Sequence, residues 1–213
     1  MTDADLTHIY FLLDRSGSMQ SIKSDTEGGF AAFLEEQRKA PGRCRVTLAQ
    51  FDDTYEVVYA DRDVRDVPPL VLAPRNTTAL LDSIGRLVTD AGRALSARPE
   101  HERPGTVVVA IMTDGMENAS REWTHTAVKT LIEQQERDYQ WQFLYLGADQ
   151  DAIEVGHSIG VAAGNSLTYG RGAVAPALAA ASSMVGELRS ARRVRPAAAL
   201  RGFSEQERTD SAG

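Results

Sequence analysis

The chain has one cysteine, Cys44, so no internal disulfide can form, and Cys44 reads as a small core residue. With that single thiol and four histidines scattered without ligand spacing, a zinc site of cysteine and histidine has no material. Positive charge is the scarcer sign: 23 Lys and Arg against 30 Asp and Glu give a formal net charge of −7, which argues against a general nucleic-acid binder. No apolar run reaches the roughly 20 residues that a membrane-spanning helix needs. The opening MTDADLTHIY places acids where a secretory signal carries bases, and it lacks a clean apolar stretch. No G-x-G-x-x-G follows the first apolar run and no G-x-x-x-x-G-K-[ST] occurs anywhere, which speaks against a dinucleotide or P-loop site. The glycine-rich YGRGAVAP near residue 170 has neither spacing and reads as a loop. No G-x-S-x-G elbow surrounds Ser16, so a Ser-His-Asp nucleophile there is unsupported.

What is present is an alternation of short apolar runs with longer amphipathic segments. His8 to Leu13, Arg45 to Phe51, Tyr55 to Tyr59, Thr106 to Thr113 and Trp141 to Leu146 predict strands, with Ser166 to Tyr169 a weak edge strand. The 3.6-residue period predicts helices from Ser21 to Lys39, from Thr78 through Leu95, from Thr124 to Asp138, briefly after Gly147, and from Ala173 to Arg192. Thr106 to Thr113 is continuously apolar and β-branched, as a strand covered on both faces should be. Asp52-Asp53, between the second and third runs, predicts a hairpin. Strands alternating with helices specify a doubly wound, Rossmann-like α/β sheet. Residues 1–193 form the expected domain. Residues 194–213 are polar, lack a long period and predict a flexible tail. Arg189, Arg192, Arg193, Arg195 and Arg201 read as a solvated, locally basic helix end.

In an open α/β sheet, ligands collect beyond the carboxyl ends of the strands. Three loops in such positions carry oxygen: Asp14-Arg15-Ser16-Gly17-Ser18, Asn76-Thr77-Thr78 and Thr113-Asp114-Gly115. Taken singly, each is an ordinary turn or helix N-cap. With the first and fourth strands as neighbours, they bring two carboxylates and several hydroxyls to one edge of the sheet. A hard divalent cation wants such oxygen ligands. Neutral hydroxyls leave much of its charge uncancelled, so an ion held this way still seeks an anionic oxygen from outside.

FLLDRSGSM, NTTALLDSIG and VVVAIMTDG resemble the three pieces of the metal-ion-dependent adhesion site of von Willebrand factor type A (VWA) domains, over roughly residues 6–190. The resemblance implies a mostly parallel central sheet with one antiparallel edge strand and helices on both faces, in agreement with the hairpin. It implies Asp14, Ser16, Ser18, Thr78 and Asp114 as metal ligands, with the two serines direct and Asp14 partly through water. Thr78 is the motif threonine because Ala79-Leu80-Leu81 follows it, Thr77 being the weaker choice; Asn76-Thr77 replaces the family's frequent Gly-Gly. The implied cofactor is Mg²⁺, with Mn²⁺ or Ca²⁺ as substitutes. The implied function is non-enzymatic: capture of an acidic side chain of a partner protein, with no catalytic residue. Arg15, Met19, Gln20, Met116 and Glu117 flank the motif residues and are the expected partner rim; Met19 and Met116 suit core packing equally. The resemblance is closest to compact intracellular bacterial members, which implies an AAA-type ATPase or stress-response component as partner. Asn76-Thr77-Thr78 and Asn118-Ala119-Ser120 are glycosylation acceptor patterns beside the candidate site, where a glycan would obstruct it, so a cytoplasmic location is expected. The alternative is a Mg²⁺-dependent hydrolase or phosphotransferase of Rossmann-like fold with Asp14 as nucleophile. It needs a second carboxylate two residues on, where this chain has Ser16.

Overall fold

The first apolar run is longer than its hydrophobic part: β1 spans Asp3–Asp14 and residues 6–14 are buried. It can be buried on both faces because it lies in the middle of the sheet. In the computed structural model, which describes residues 1–212, β1 pairs in parallel with β2 (Arg43–Phe51) on one side and β4 (Pro104–Thr113) on the other. β3 (Tyr55–Asp63) returns antiparallel on β2, while β5 (Gln142–Ala148) and β6 (Ser166–Tyr169) extend the parallel sheet. The strand order is β3-β2-β1-β4-β5-β6, a mostly parallel sheet with one antiparallel edge strand. From β1 the chain winds outward to β2 and β3, then crosses back to β4. The direction of winding therefore reverses between β1 and β4, and a crevice opens beyond their carboxyl ends.

Helices cover both faces. α1 (Lys23–Lys39) and α5 (Val174–Arg192) close one layer over Ile9, Phe11 and Leu13. There Phe11 meets Phe30 and Phe33 edge-on, with centroids 5.0 and 5.7 Å away. The two helices approach closely at Gly29, where an added Cβ would lie 2.7 Å from Leu178 Cδ1. α2 (Leu80–Ser96) and α3 (His125–Tyr139) close the other layer over Tyr10, Leu12 and Ile111, contributing Ile84, Val88, Val128 and Ile132. Thr124 caps α3 by accepting from Ala127 N, and the helix stops at Gln140, whose φ of 57° breaks the period. α4 (Ala152–Ser158) is a short crossover to β6. Among the described residues no helix is long and apolar enough to cross a membrane.

The carboxyl-terminal region departs from expectation. Arg189 and Arg192 are buried rather than solvated, each only 3 % exposed. Arg189 Nη1 donates to Gln37 O at 2.7 Å, and its Nη2 reaches the carbonyls of Pro41 and Gly42, at the end of α1. Arg192 donates to Ala198 O and to Gln140 O, at the end of α3, at 2.7 and 2.8 Å. Each guanidinium therefore meets the carbonyls at the end of another helix, where positive charge is favoured. Arg193 pairs with Asp5, and Arg201 with Glu187 and Glu207. The polar stretch that predicts a tail holds a further helix, α6 (Glu205–Ala212), opened by reciprocal bonds between Ser204 and Glu207. Arg208 ties α6 to the start of β6 through Ser166 O at 2.8 Å, and Phe203 packs into the core.

Candidate metal centre

Parallel pairing of Leu13 with Met112 brings the ends of β1 and β4 level. Asp14 and Thr113 follow directly, and Thr113 Oγ1 donates to Asp14 Oδ2 at 2.5 Å. The other oxygen, Asp14 Oδ1, accepts Ser16 N at 2.6 Å and turns the chain sharply out of the strand. That turn brings Ser16 Oγ within 3.1 Å of Ser18 Oγ, and Ser18 Oγ donates to Asp114 Oδ1 at 2.5 Å. The first and third loops thus share a network of two carboxylates and three hydroxyls, the third being that of Thr113.

The second loop is fastened to both others. Arg75 N donates to Arg15 O at 2.8 Å and Gly17 N to Asn76 O at 3.2 Å. On the other side Thr78 N donates to Asn118 Oδ1 at 3.0 Å, and Thr78 O accepts from the amides of Asn118 and Ala119. Gly115 shows where the hydroxyls converge. A Cβ built on it would lie 3.0 Å from Thr78 Oγ1 and 3.6 Å from both Ser16 Oγ and Ser18 Oγ. Ser16, Ser18 and Thr78 therefore converge on one small space, with Asp114 bonded to Ser18 and Asp14 to the Ser16 amide beside it.

The residues expected at the rim divide. Met116 is exposed on the third loop. Met19 has no exposed surface and belongs to the core over β1, so it is not a rim residue. Arg15 is buried too, its guanidinium held by Asp52 at 3.1 Å and Glu56 at 2.6 Å. It faces inward because Asp52, at the exit of β2, is a fully buried carboxylate that needs compensation. Glu117 is spent on backbone amides, accepting from Leu81 at the start of α2 and from Ala119 and Ser120 of its own loop. Gln20 is exposed. Asp52 is the supporting residue that sequence reasoning read only as part of a turn. A carboxylate at a strand exit was the available signal.

Charge at the centre is poorly neutralised. Burial pushes the Asp14 carboxyl up to about 6, against the hydrogen bonds from Thr113 and Ser16, and nearby Asp114 pushes the same way. Burial also raises Asp114, opposed by Ser18 and by Arg171. Asp114 Oδ2 is buried and accepts no hydrogen bond. Its one close cationic neighbour among the described residues is Arg171 Nη1, at 3.3 Å. Among the described residues no three His, Cys, Asp or Glu side chains cluster as a metal site. The donor set is hydroxyl-rich by construction. These residues fit a hard divalent cation: the donors are all oxygen, one carboxylate oxygen lacks a hydrogen bond, and only glycine at 115 leaves the space between the hydroxyls free.

Solved structures of VWA domains share this fold. The vWF domain of the type V pili tip protein Mfa5 from Porphyromonas gingivalis matches with a TM-score of 0.61 at 10 % identity, covering 85 % of this chain and 95 % of that one. Proximal thread matrix protein 1 from the mussel byssus, solved with a zinc-occupied MIDAS motif, matches with a TM-score of 0.60 at 15 % identity, over 86 % of this chain and 47 % of that one. The ArnB paralog VWA2 from Sulfolobus acidocaldarius matches with a TM-score of 0.52 at 17 % identity, over 83 % and 44 %. The chain thus spans less than half the length of the latter two proteins. At these identities the likeness is one of fold. No protein-family model matches the chain, and no curated protein matches it in sequence.

Proposed function

We propose that the chain is a non-enzymatic binding module in which Asp14, Ser16, Ser18, Thr78 and Asp114 hold Mg²⁺, or Mn²⁺ in its place, and capture an acidic side chain of a partner protein. The observation that carries this reading is the convergence of three hydroxyls around Gly115, between Asp14 and an Asp114 oxygen without a hydrogen bond. A cation bound there would supply an open coordination position for an outside carboxylate. The chain's own residues supply fixed donors. Asp14 is locked by Thr113 and the Ser16 amide, Ser18 is aligned by Asp114, and Thr78 is placed by Asn118. An open cleft of about 680 Å³ begins beside the site at Thr77, Ala79 and Asn118, with room for a partner segment.

The hydrolase alternative is less well supported. Ser16 stands where a second carboxylate is needed and is spent on the Ser18 contact. The G-x-S-x-G string at residues 156–160 ends α4 rather than joining a strand to a helix, and Ser158 Oγ donates to Val155 O at 2.7 Å. A cytoplasmic setting suits the site, since a glycan on Asn118 Nδ2 would crowd the loop whose Oδ1 holds Thr78.

Calorimetry with MgCl₂ and Mn²⁺ titration followed by NMR line broadening test the reading. The expected dissociation constant without carboxylate is high-micromolar or weaker, and it should improve when a glutamate-containing peptide is added. Asp114→Ala should abolish both effects while leaving the protein folded. Absence of cation binding at millimolar concentration would sink the proposal.

A further inference from the structure

The turn between β6 and α5 sends one side chain back across the candidate metal centre. Arg171 Nη1 lies 3.3 Å from Asp114 Oδ2, the oxygen that has no hydrogen bond. The same nitrogen donates to Ser18 O at 3.3 Å and to the Ser21 hydroxyl, and Nε donates to Asp149 Oδ2 at 2.6 Å. One guanidinium therefore bridges the first loop, the third loop and the exit of β5. The turn that carries it is held from behind. Gly170 N donates to Ser211 O of α6 at 2.8 Å, and Tyr169 OH to Thr113 O at 3.3 Å.

We infer that Arg171 is a tethered counter-cation of this site, which a divalent ion must displace from Asp114 to bind. The inference rests on the proposed metal site. A carboxylate oxygen buried without hydrogen bonds needs positive charge, and Arg171 supplies it from within the chain. A divalent ion held by Ser18 and Asp114 would bring two further positive charges to the same oxygens, and like charges that close repel. Arg171 can yield because its side chain is 41 % exposed, so water resolvates the guanidinium as it leaves while the incoming cation takes over its role at Asp114. It opens the single turn Arg171–Ala173 that runs directly into Val174, the first residue of α5. Its release therefore frees the entrance of that helix from the first loop.

The test is calorimetry with MnCl₂ on the full chain as wild type, Arg171→Gln and Arg171→Lys, with amide exchange of residues 170–174 as a second readout. The expected result is at least fivefold tighter binding in Arg171→Gln, near wild-type binding in Arg171→Lys, and faster exchange at 170–174 in wild type when Mn²⁺ is added. Binding by Arg171→Gln alone, with none in wild type, would also support the inference. Equal or weaker binding by Arg171→Gln beside a wild type that binds would overturn it and leave the metal site standing. Weaker binding would identify the arginine as a supporting donor. If neither wild type nor Arg171→Gln binds at millimolar Mn²⁺, the metal reading itself fails and takes this inference with it.

Discussion

Replacing Asp52 by asparagine tests how the three loops are held. The Asp52 carboxylate has no exposed surface. Oδ2 accepts Arg15 Nε at 3.1 Å and Arg75 Nε at 2.7 Å, while Oδ1 accepts Thr54 N and Oγ1 at 2.8 and 2.7 Å. Burial alone would raise its pKa. The donors from Arg75 and Thr54 and the charge of Arg15 outweigh burial and hold it well below the usual carboxylate range. Asparagine keeps the shape and one acceptor but loses the charge. Arg15, 6 % exposed, would keep only Glu56, whose side chain is 57 % exposed.

Breaking a buried pair by removing one partner costs about 3–5 kcal/mol. Because Glu56 remains, the lower end applies, about 3 kcal/mol. In a chain of this size each kcal/mol lowers Tm by about 2–4 °C, so the drop should be about 6–12 °C. Urea unfolding followed by circular dichroism at pH 7 measures the loss directly. Arg75→Gln touches the same carboxylate, but the Arg75 side chain is 55 % exposed and water replaces it. Its midpoint should fall much less than that of Asp52→Asn. The acid limb adds a check of sign. A carboxyl depressed on folding stabilises above its unfolded pKa near 3.8, and that contribution is lost as pH falls through the folded value. Wild type and Asp52→Asn should therefore begin to converge only below about pH 4, and meet only once pH has fallen below the folded value. A loss under about 1 kcal/mol for Asp52→Asn, or an equal loss for Arg75→Gln, would refute the argument from burial.

Three further substitutions probe separate parts of the molecule. Gly115→Ala puts a methyl 3.0 Å from Thr78 Oγ1 and in contact with both serine hydroxyls; cation affinity should fall at least tenfold, about 1.4 kcal/mol, with Tm nearly unchanged. Calorimetry and a thermal melt together check it. His8 is buried against Tyr10, and burial chiefly, with Arg98 and Arg45 adding to it and Asp61 opposing, lowers its pKa to about 3. The unfolded chain then binds a proton below pH 6.5 that the folded chain refuses. Stability should fall by a few kcal/mol between pH 6.5 and 3, and His8→Gln, unfolded by urea across that range, should flatten the slope. Gly85→Ala places its methyl inside the indole of Trp123; overpacking of about 1–3 kcal/mol should outweigh the roughly 1 kcal/mol gained in helix propensity, with a shift in Trp123 fluorescence.

The parts of the structure legible in the sequence are those set by local period or by position relative to a strand. β4 reads as doubly buried because Val107 to Met112 offer no polar face, and α2 because Leu80, Ile84, Leu87, Val88, Ala91 and Leu95 fall on one side. The three oxygen-bearing loops follow from those two facts, since each directly follows a strand or opens a helix at the same edge. Residues whose surroundings come from distant segments are not legible in their local sequence. Arg189 and Arg192 look solvated in any window of sequence, yet each meets carbonyls from segments some 50 to 150 positions away. Arg15 and Met19 sit beside the motif residues and point inward, because β2 delivers Asp52 beneath the one and α1 packs with β1 around the other. α6 is a different case, because its Ser204-x-x-Glu207 capping box is visible in the sequence. Hydrophobic period predicts no helix there because the segment has no apolar stripe. It is held instead by Arg208 on backbone carbonyls and by Phe203 just before it. Hydrophobic period therefore locates the sheet and its edge, while long-range arginine contacts decide which motif neighbours face solvent. Arg171, on a turn that carries no motif, reaches the centre by that second route, so sequence alone could place the oxygens but not the charge that answers them.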